Sequence, residues 1–234
     1  MNDMILSIDV DWAPDFMIEQ SLNILLEHDA KATWFITHET DMIEEIRKYP
    51  NFELAIHPNF LPNSSQGKNY NEVIKSLLKI VPEAKTVRPH ALFYHHYLSK
   101  IYIDCGLLFD SGIYLKEVPN IIPFEITIND KKLVKIPFFW AEDSNIKEDS
   151  VLFLRPGLKI FVFHPVHIFL NSNNIDNYNR LKNECDIIKC SFKQAEKYIN
   201  NSNGSRNMID IISKYCNKTI KQIGEEFLSQ DEHN

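Results

Sequence analysis

The stretch MILSIDVDWAPDFMIEQSLNILLEHDAKATWFI, residues 4–36, decides the fold. Met4 to Val10 is a short apolar run closing on acids, Asp15 to Glu27 puts Ile18, Leu22, Leu25 and Leu26 on one helical face, and Ala32 to Ile36 is apolar again. Strand, helix and strand in that order make a βαβ unit, whose strands lie parallel. The cycle repeats downstream. Thr40 to Lys48 predicts a helix with Met42, Ile43 and Ile46 inward, and Glu53 to Ile56 a third strand. After the polar loop PNSSQGKN, a helix is predicted near Asn71 to Ile80 with Val73, Ile74, Leu77 and Leu78 inward. A brief strand at Thr86 to Arg88 and a helix at Tyr97 to Cys105 follow. The expected fold class is α/β with mostly parallel strands, open or closed into a barrel.

Later segments depart from this rhythm. FEITINDKKLVKIPFFW, residues 124–140, holds two strand-like runs joined by Asn129-Asp130, the signature of an inserted β-hairpin. KIFVF, residues 159–163, is the most apolar late strand, and NSNNIDNYN after it reads as an exposed loop. Ile209, Ile212, Ile220, Ile223 and Phe227 recur at helical spacing, which predicts a helical tail packed on the body or on a partner. Self-association through that tail and a docked monomer tail are both consistent with the pattern.

Composition narrows the function classes. Among 234 residues, 44% are hydrophobic and only 6 are Gly, which excludes disorder and collagen. The net charge of −7 argues against a protein that neutralises nucleic-acid phosphates. Cys105, Cys185, Cys190 and Cys216 show no CxxC spacing, so reduced thiols in a cytoplasmic compartment are expected. The opening MNDMILSIDVDW does not read as a signal peptide, and no uncharged apolar run is long enough to span a membrane.

The chemistry-bearing residues fall at strand ends. Asp9 and Asp11 close the first strand, His57 the third, Arg88 the fourth and His164 the late one. In parallel α/β folds those ends share one face, where loops build the site. In a continuing strand Asp9 and Asp11 would point to one side about 7 Å apart. Such a pair is eased by a cation or by one acid working as a proton acceptor. Otherwise both cap the helix after Pro14 or pair with Arg88. His90 lies just past Arg88, while His95 and His96 read as a solvated pair. FVFHPVHIF sets His164 and His167 around a Pro-Val step directly after a strand. Asp110 and the Glu142-Asp143 pair follow apolar runs and are placed either to orient a histidine or as ordinary loop acids. An aspartate and histidines around a cation, with a second aspartate left free, form a kit for metal-assisted hydrolysis. GxSxG, Walker A and GxGxxG motifs are missing from the chain.

SIDVDWA, ATWFIT, ELAIHPNF, VRPH and FVFH, in this order, resemble the motifs of the NodB-type polysaccharide deacetylases, carbohydrate esterase family four. HPNF, RPH and FHPVHIFLN resemble most the WbmS-like branch found with surface-polysaccharide genes. The resemblance implies a distorted, incomplete (β/α) barrel at about 4–170 and a helical extension at about 176–234, together a single domain over 1–234. It makes Asp9 the catalytic base, Arg88 the residue that steadies it, His164 the general acid, and Asp11 and His57 metal ligands. The family's second motif has another histidine where Leu61 stands here, so the third ligand is open among Asn59, His90, His167 and water, with His90 preferred. The third motif also lacks its usual continuation, reading His90-Ala91-Leu92.

The implied cofactor is a divalent metal, zinc being the expected ion. The implied substrate is an acylated amino sugar, as a nucleotide sugar or a lipid-linked saccharide of lipopolysaccharide synthesis, from which an N-acetyl or related acyl group is removed. Trp12, Asn59, Trp140 and His167 are the expected substrate contacts, the two tryptophans by stacking on a sugar ring. Two alternatives remain: a catalytically inactive saccharide-binding or assembly protein, and a hydrolase of another small C–N bond.

Overall fold

In the computed structural model, which describes residues 2–142 and 154–231, the chain alternates strands and helices along its first half. The order is β1 (Met4–Asp9), α1 (Asp15–Glu27), β2 (Ala32–Ile36), α2 (Met42–Arg47), β3 (Phe52–Ile56), α3 (Tyr70–Ile80), β4 (Thr86–Val87), α4 (Leu98–Asp104) and β5 (Phe109–Asp110). Then come β6 (Phe124–Ile128), β7 (Lys131–Lys135), β8 (Trp140–Ala141) and β9 (Lys159–Phe163). The chain continues through α5 (Pro165–Leu170), α6 (Asp176–Glu184), α7 (Phe192–Ala195), α8 (Ser205–Ser213) and α9 (Ile220–Asp231).

One nine-stranded sheet runs β6-β7-β5-β4-β3-β2-β1-β9-β8, and every pairing in it is parallel except β6 with β7. β6 and β8 end the order without pairing to each other, so the curl stays open as a half-barrel. Strands β2 and β9 are buried along their whole length, which is why they read as unbroken apolar runs. The β6–β7 hairpin turns on Asn129 and Asp130, with φ of 50° and 61°, as a two-residue turn with both residues left-handed requires. Since the strands are parallel, the residues after β1, β3, β4 and β9 all emerge at one edge.

One expectation changes. NSNNIDNYN is only partly loop, because α6 begins at Asp176, where the Asn174 side chain accepts the Asp176 N–H at 2.8 Å. Tyr178 and Leu181 give this stretch an inward face that its asparagine content hides. The tail is helical and packed on the body: Ile209, Ile212, Ile220 and Ile223 are fully buried within the same chain. Among the described residues, no helix is long and apolar enough to cross a membrane.

The tail docks at the edge opposite the strand carboxyl ends. Glu53, at the start of β3, is buried and accepts from Thr33 Oγ1 (2.7 Å), Thr86 Oγ1 and the Lys221 N–H (2.9 Å) at the head of α9. The Ile220 N–H donates to Thr33 Oγ1 at 2.9 Å. Burial pushes the Glu53 carboxyl upward against those hydrogen bonds. Gly224 lets α9 approach β5, since a Cβ there would lie 2.3 Å from the buried Phe109 ring. In a free helix Gly→Ala is worth about 1 kcal/mol of added stability, but overpacking a closed core costs about 1–3 kcal/mol. Gly224→Ala is therefore expected to lower the urea midpoint; a raised midpoint would show that α9 does not press on Phe109.

Candidate metal centre

Asp11 reaches the cavity by a turn, not by strand alternation. β1 ends at Asp9, and Asp11 and Trp12 then adopt left-handed φ of 45° and 55°. Two consecutive non-glycine residues in that region cost roughly 1–2 kcal/mol each. The Trp12 N–H donates to Thr37 Oγ1 at 3.0 Å and holds the turn against β2's end. Neither aspartate caps α1, whose N-cap is Pro14 and whose first-turn acid is Asp15.

Three donors meet around this turn. The His57 ring donates from Nδ1 to the Arg88 carbonyl at 2.6 Å, which turns Nε2 toward Asp11 Oδ1 at 3.2 Å and Asp9 Oδ2 at 3.7 Å. His90 is tethered by its N–H to the Pro58 carbonyl at 2.9 Å, and its Nδ1 lies 3.0 Å from Asp11 Oδ1. One ligand atom from each of Asp11, His57 and His90 falls within 4.8 Å of the others. A carboxylate with two imidazoles, one locked in its tautomer by a backbone carbonyl, suits a divalent ion, so these residues fit the implied cofactor. Burial alone would raise the Asp11 carboxyl, but hydrogen bonds from His57 and His90 and the nearby imidazoles hold it well below the usual range.

Arg88 is fully buried and binds Asp9 Oδ1 at 2.7 Å through Nη1, which also donates to Ser7 Oγ at 2.9 Å. Nε and Nη2 donate to the Ser111 carbonyl and hydroxyl at 3.1 and 3.0 Å, and the guanidinium carbon lies 4.1 Å from the Phe35 ring centroid. Asp9 thus has one oxygen on Arg88 and the other 3.7 Å from His57 Nε2. Across from it, the His164 backbone N–H and Nδ1 both donate to Glu142 Oε2, at 3.0 and 2.9 Å, leaving Nε2 3.7 Å from Asp11 Oδ2. Burial alone would lower the His164 pKa. The Glu142 hydrogen bond and the charges of Asp11, Glu142 and Asp9 outweigh it and push the imidazole up to about 9.

Asp9, Asp11, His57, Arg88, His90 and His164 therefore converge, and Trp12 meets the His90 ring edge-on at 5.2 Å. His167 stands beside His164 with ring centroids 5.8 Å apart, its Nδ1 bonded to Ser172 Oγ at 3.1 Å and its pKa lowered by burial. Asn59 turns its amide oxygen to the Leu61 N–H at 3.0 Å. The expectation for Trp140 is corrected. It is 2% exposed and packs between Phe161 and Phe163, because β8 lies along β9 and drives that indole into the core. Of the acids weighed as histidine partners, Glu142 orients His164, whereas Asp110 pairs with Lys135. Asp143 lies outside the described residues. Ser7, Ser111 and Thr37 carried no signal in the sequence, since a hydroxyl in a strand or loop looks like any other. Gln66 was equally silent, yet it accepts the Asn59 N–H at 2.6 Å and donates to the Thr37 carbonyl at 2.8 Å.

A family model described as WbmS-like polysaccharide deacetylase matches residues 6–182. Among solved structures, the chain is similar to one from Bordetella bronchiseptica described as a polysaccharide deacetylase involved in O-antigen biosynthesis, with 24% identity and a TM-score of 0.80 over 91% of this chain and 90% of that one. It is also similar to one from Mycobacterium smegmatis described as a polysaccharide deacetylase, with 15% identity and a TM-score of 0.59 over 98% and 91%. No curated protein matches the chain.

Because Glu142 helps hold His164 charged, Glu142→Gln is expected to move the His164 titration in the metal-free protein well below pH 9, read by NMR of the imidazole. In the wild type the raised folded-state pKa adds stability that is complete below about pH 6.5, the unfolded value, and is lost as the pH rises through about 9. An unshifted titration in the variant would remove Glu142 as the orienting group.

Proposed function

The chain belongs to the WbmS-like polysaccharide deacetylase family, and from that premise we infer that it is a metal-dependent hydrolase removing an N-acetyl or related acyl group from an amino sugar of O-antigen or another surface polysaccharide. The observation that carries this reading is the Asp11–His57–His90 cluster with Asp9 on one flank and His164 on the other. Asp11, His57 and His90 would hold the metal, zinc being the ion this donor set suits. When bound there, the ion polarises the acyl carbonyl and lowers the pKa of water.

The chain's own groups divide the proton transfers. Arg88 holds one oxygen of Asp9 and aims the side chain, so that its other oxygen takes a proton from the attacking water as the oxygen–carbon bond forms. His164 carries its proton across the neutral range with Glu142 behind it, and delivers it to the departing amine nitrogen as the C–N bond breaks. Acetate and a free amino sugar result. His167 and Trp12 border this cavity and serve the sugar; Asn59 acts from the adjoining loop. The one-domain reading over 1–234 is supported by the tail helix that closes on Glu53. A cytoplasmic site of action, before the glycan leaves the cell, accords with the free thiols of all four cysteines.

Acetate release from N-acetylated amino sugars by the zinc-loaded protein tests the reading. Chelation is expected to abolish it and added zinc to restore it. Asp9→Asn is expected to lower kcat by at least about a hundredfold with zinc still bound, whereas His90→Ala weakens zinc affinity about tenfold or more. Stoichiometric zinc without turnover on any acylated saccharide would leave a binding protein.

A further inference from the structure

Directly after His90 the backbone is strained again and throws a set of rings onto the surface. Ala91 and Leu92 have φ of 53° and 52°, and Leu92 is left exposed. Paired left-handed non-glycine residues persist only where the surrounding structure enforces them, often at ligand clamps. Beyond them Tyr94 is 80% and Tyr97 59% exposed, unusual for side chains whose large apolar faces are normally covered.

The Tyr97 ring is rooted, and Tyr94 stands exposed near it in sequence. Phe60, buried in the loop after β3, meets Tyr70 and Phe93 with centroids 5.3 and 5.7 Å apart, and Tyr70 meets His95 at 5.4 Å. His95 stacks on His96 at 4.6 Å, and His96 lies 4.1 Å from Tyr97. A stack thus climbs from the core to an exposed crown at His96 and Tyr97, six and seven residues beyond His90 of the candidate metal centre. Of the segments that build it, residues 57–67 and 89–99 contain no Asp, Glu, Lys or Arg, while Tyr70 stands just beyond Lys68. A surface of π faces and hydrogen-bonding edges without formal charge suits a neutral, hydroxyl-rich ring with one apolar C–H face, because such hydrogens sit favourably on the negative face of an aromatic ring. Residues 57–67 and 89–99 themselves present no lysine or arginine to a pyrophosphate.

We propose that Tyr94 and Tyr97, with His96, form a platform for a sugar ring adjoining the acylated residue, so that the substrate is an oligosaccharide and not a single nucleotide-activated sugar. This rests on the deacetylase reading of the metal centre. It selects the lipid-linked or polymeric saccharide over the nucleotide sugar.

Binding to the zinc-loaded full chain would be measured by calorimetry, with acetate release followed in parallel. The probes are N-acetylated amino sugars as monosaccharides, as nucleoside diphosphate sugars and as oligosaccharides of two to five residues. Oligosaccharides are expected to bind more tightly than both single-sugar forms. Tyr94→Ala and Tyr97→Ala, both exposed positions, are each expected to weaken oligosaccharide binding about three- to tenfold and leave monosaccharide binding unchanged. Chain-length-independent affinity, no binding by any oligosaccharide, or variants indistinguishable from wild type on the longest probe would overturn the proposal. Acetate release without tyrosine dependence keeps the deacetylase and removes the platform. Tyrosine-dependent binding without acetate release does the reverse.

Discussion

A guanidinium with no access to water organises this molecule. Arg88 is held by Asp9, Ser7 and Ser111 and lies against Phe35, so it fastens β1, β2, β4 and the segment after β5 at one point. Taking a charge out of water costs several kcal/mol, and only a close counter-charge with filled hydrogen-bonding positions offsets that cost. Burial lowers the Arg88 pKa, while Asp9 acts in the opposite direction. The same carbonyl that follows from Arg88's position, its own backbone oxygen, locks the His57 tautomer. One residue thus sets the aim of both Asp9 and an imidazole of the candidate metal centre.

Around that anchor the cavity is built by strain opposed to tethers. The turns at Asp11–Trp12 and Ala91–Leu92 are both left-handed, and each stands next to a donor of the candidate metal centre. Each turn fixes where the neighbouring Asp11 or His90 side chain stands. The Trp12 N–H on Thr37 and the His90 N–H on Pro58 hold the turns, and Gln66 ties the loops behind them. At the opposite edge, Glu53 gathers β2, β3, β4 and the head of α9. The chemistry-bearing edge is left to the loops while the far edge is sealed by the tail, a division of labour that parallel strands impose by delivering all their ends in one direction.

Much of this was legible in residues whose role is local. Apolar runs announced β1, β2, β3 and β9, the Asn129-Asp130 step announced its hairpin, and the aspartates and histidines at strand ends announced where a site would form. Trp140 misled because an aromatic near a strand end looks the same whether its strand pairs with β9 or faces a cleft. The asparagine-rich run misled because two inward residues, Tyr178 and Leu181, are too few to show a period. Ser111 and Gln66 were silent because a polar loop residue gains a role only from what the fold brings beside it.

The alternation of strands and helices along the chain, a mostly parallel sheet and the shared edge of Asp9, Asp11, His57, Arg88 and His164 were legible in the sequence alone, since hydrophobic periodicity and chain direction are properties of neighbouring residues. Which donors stand together was decided only in three dimensions. His90 joining Asp11 and His57, Glu142 backing His164, and the rooting of the ring stack on Phe60 and Tyr70 all depend on contacts between segments apart along the chain. Such contacts arise from packing and backbone turns, and no local pattern encodes them.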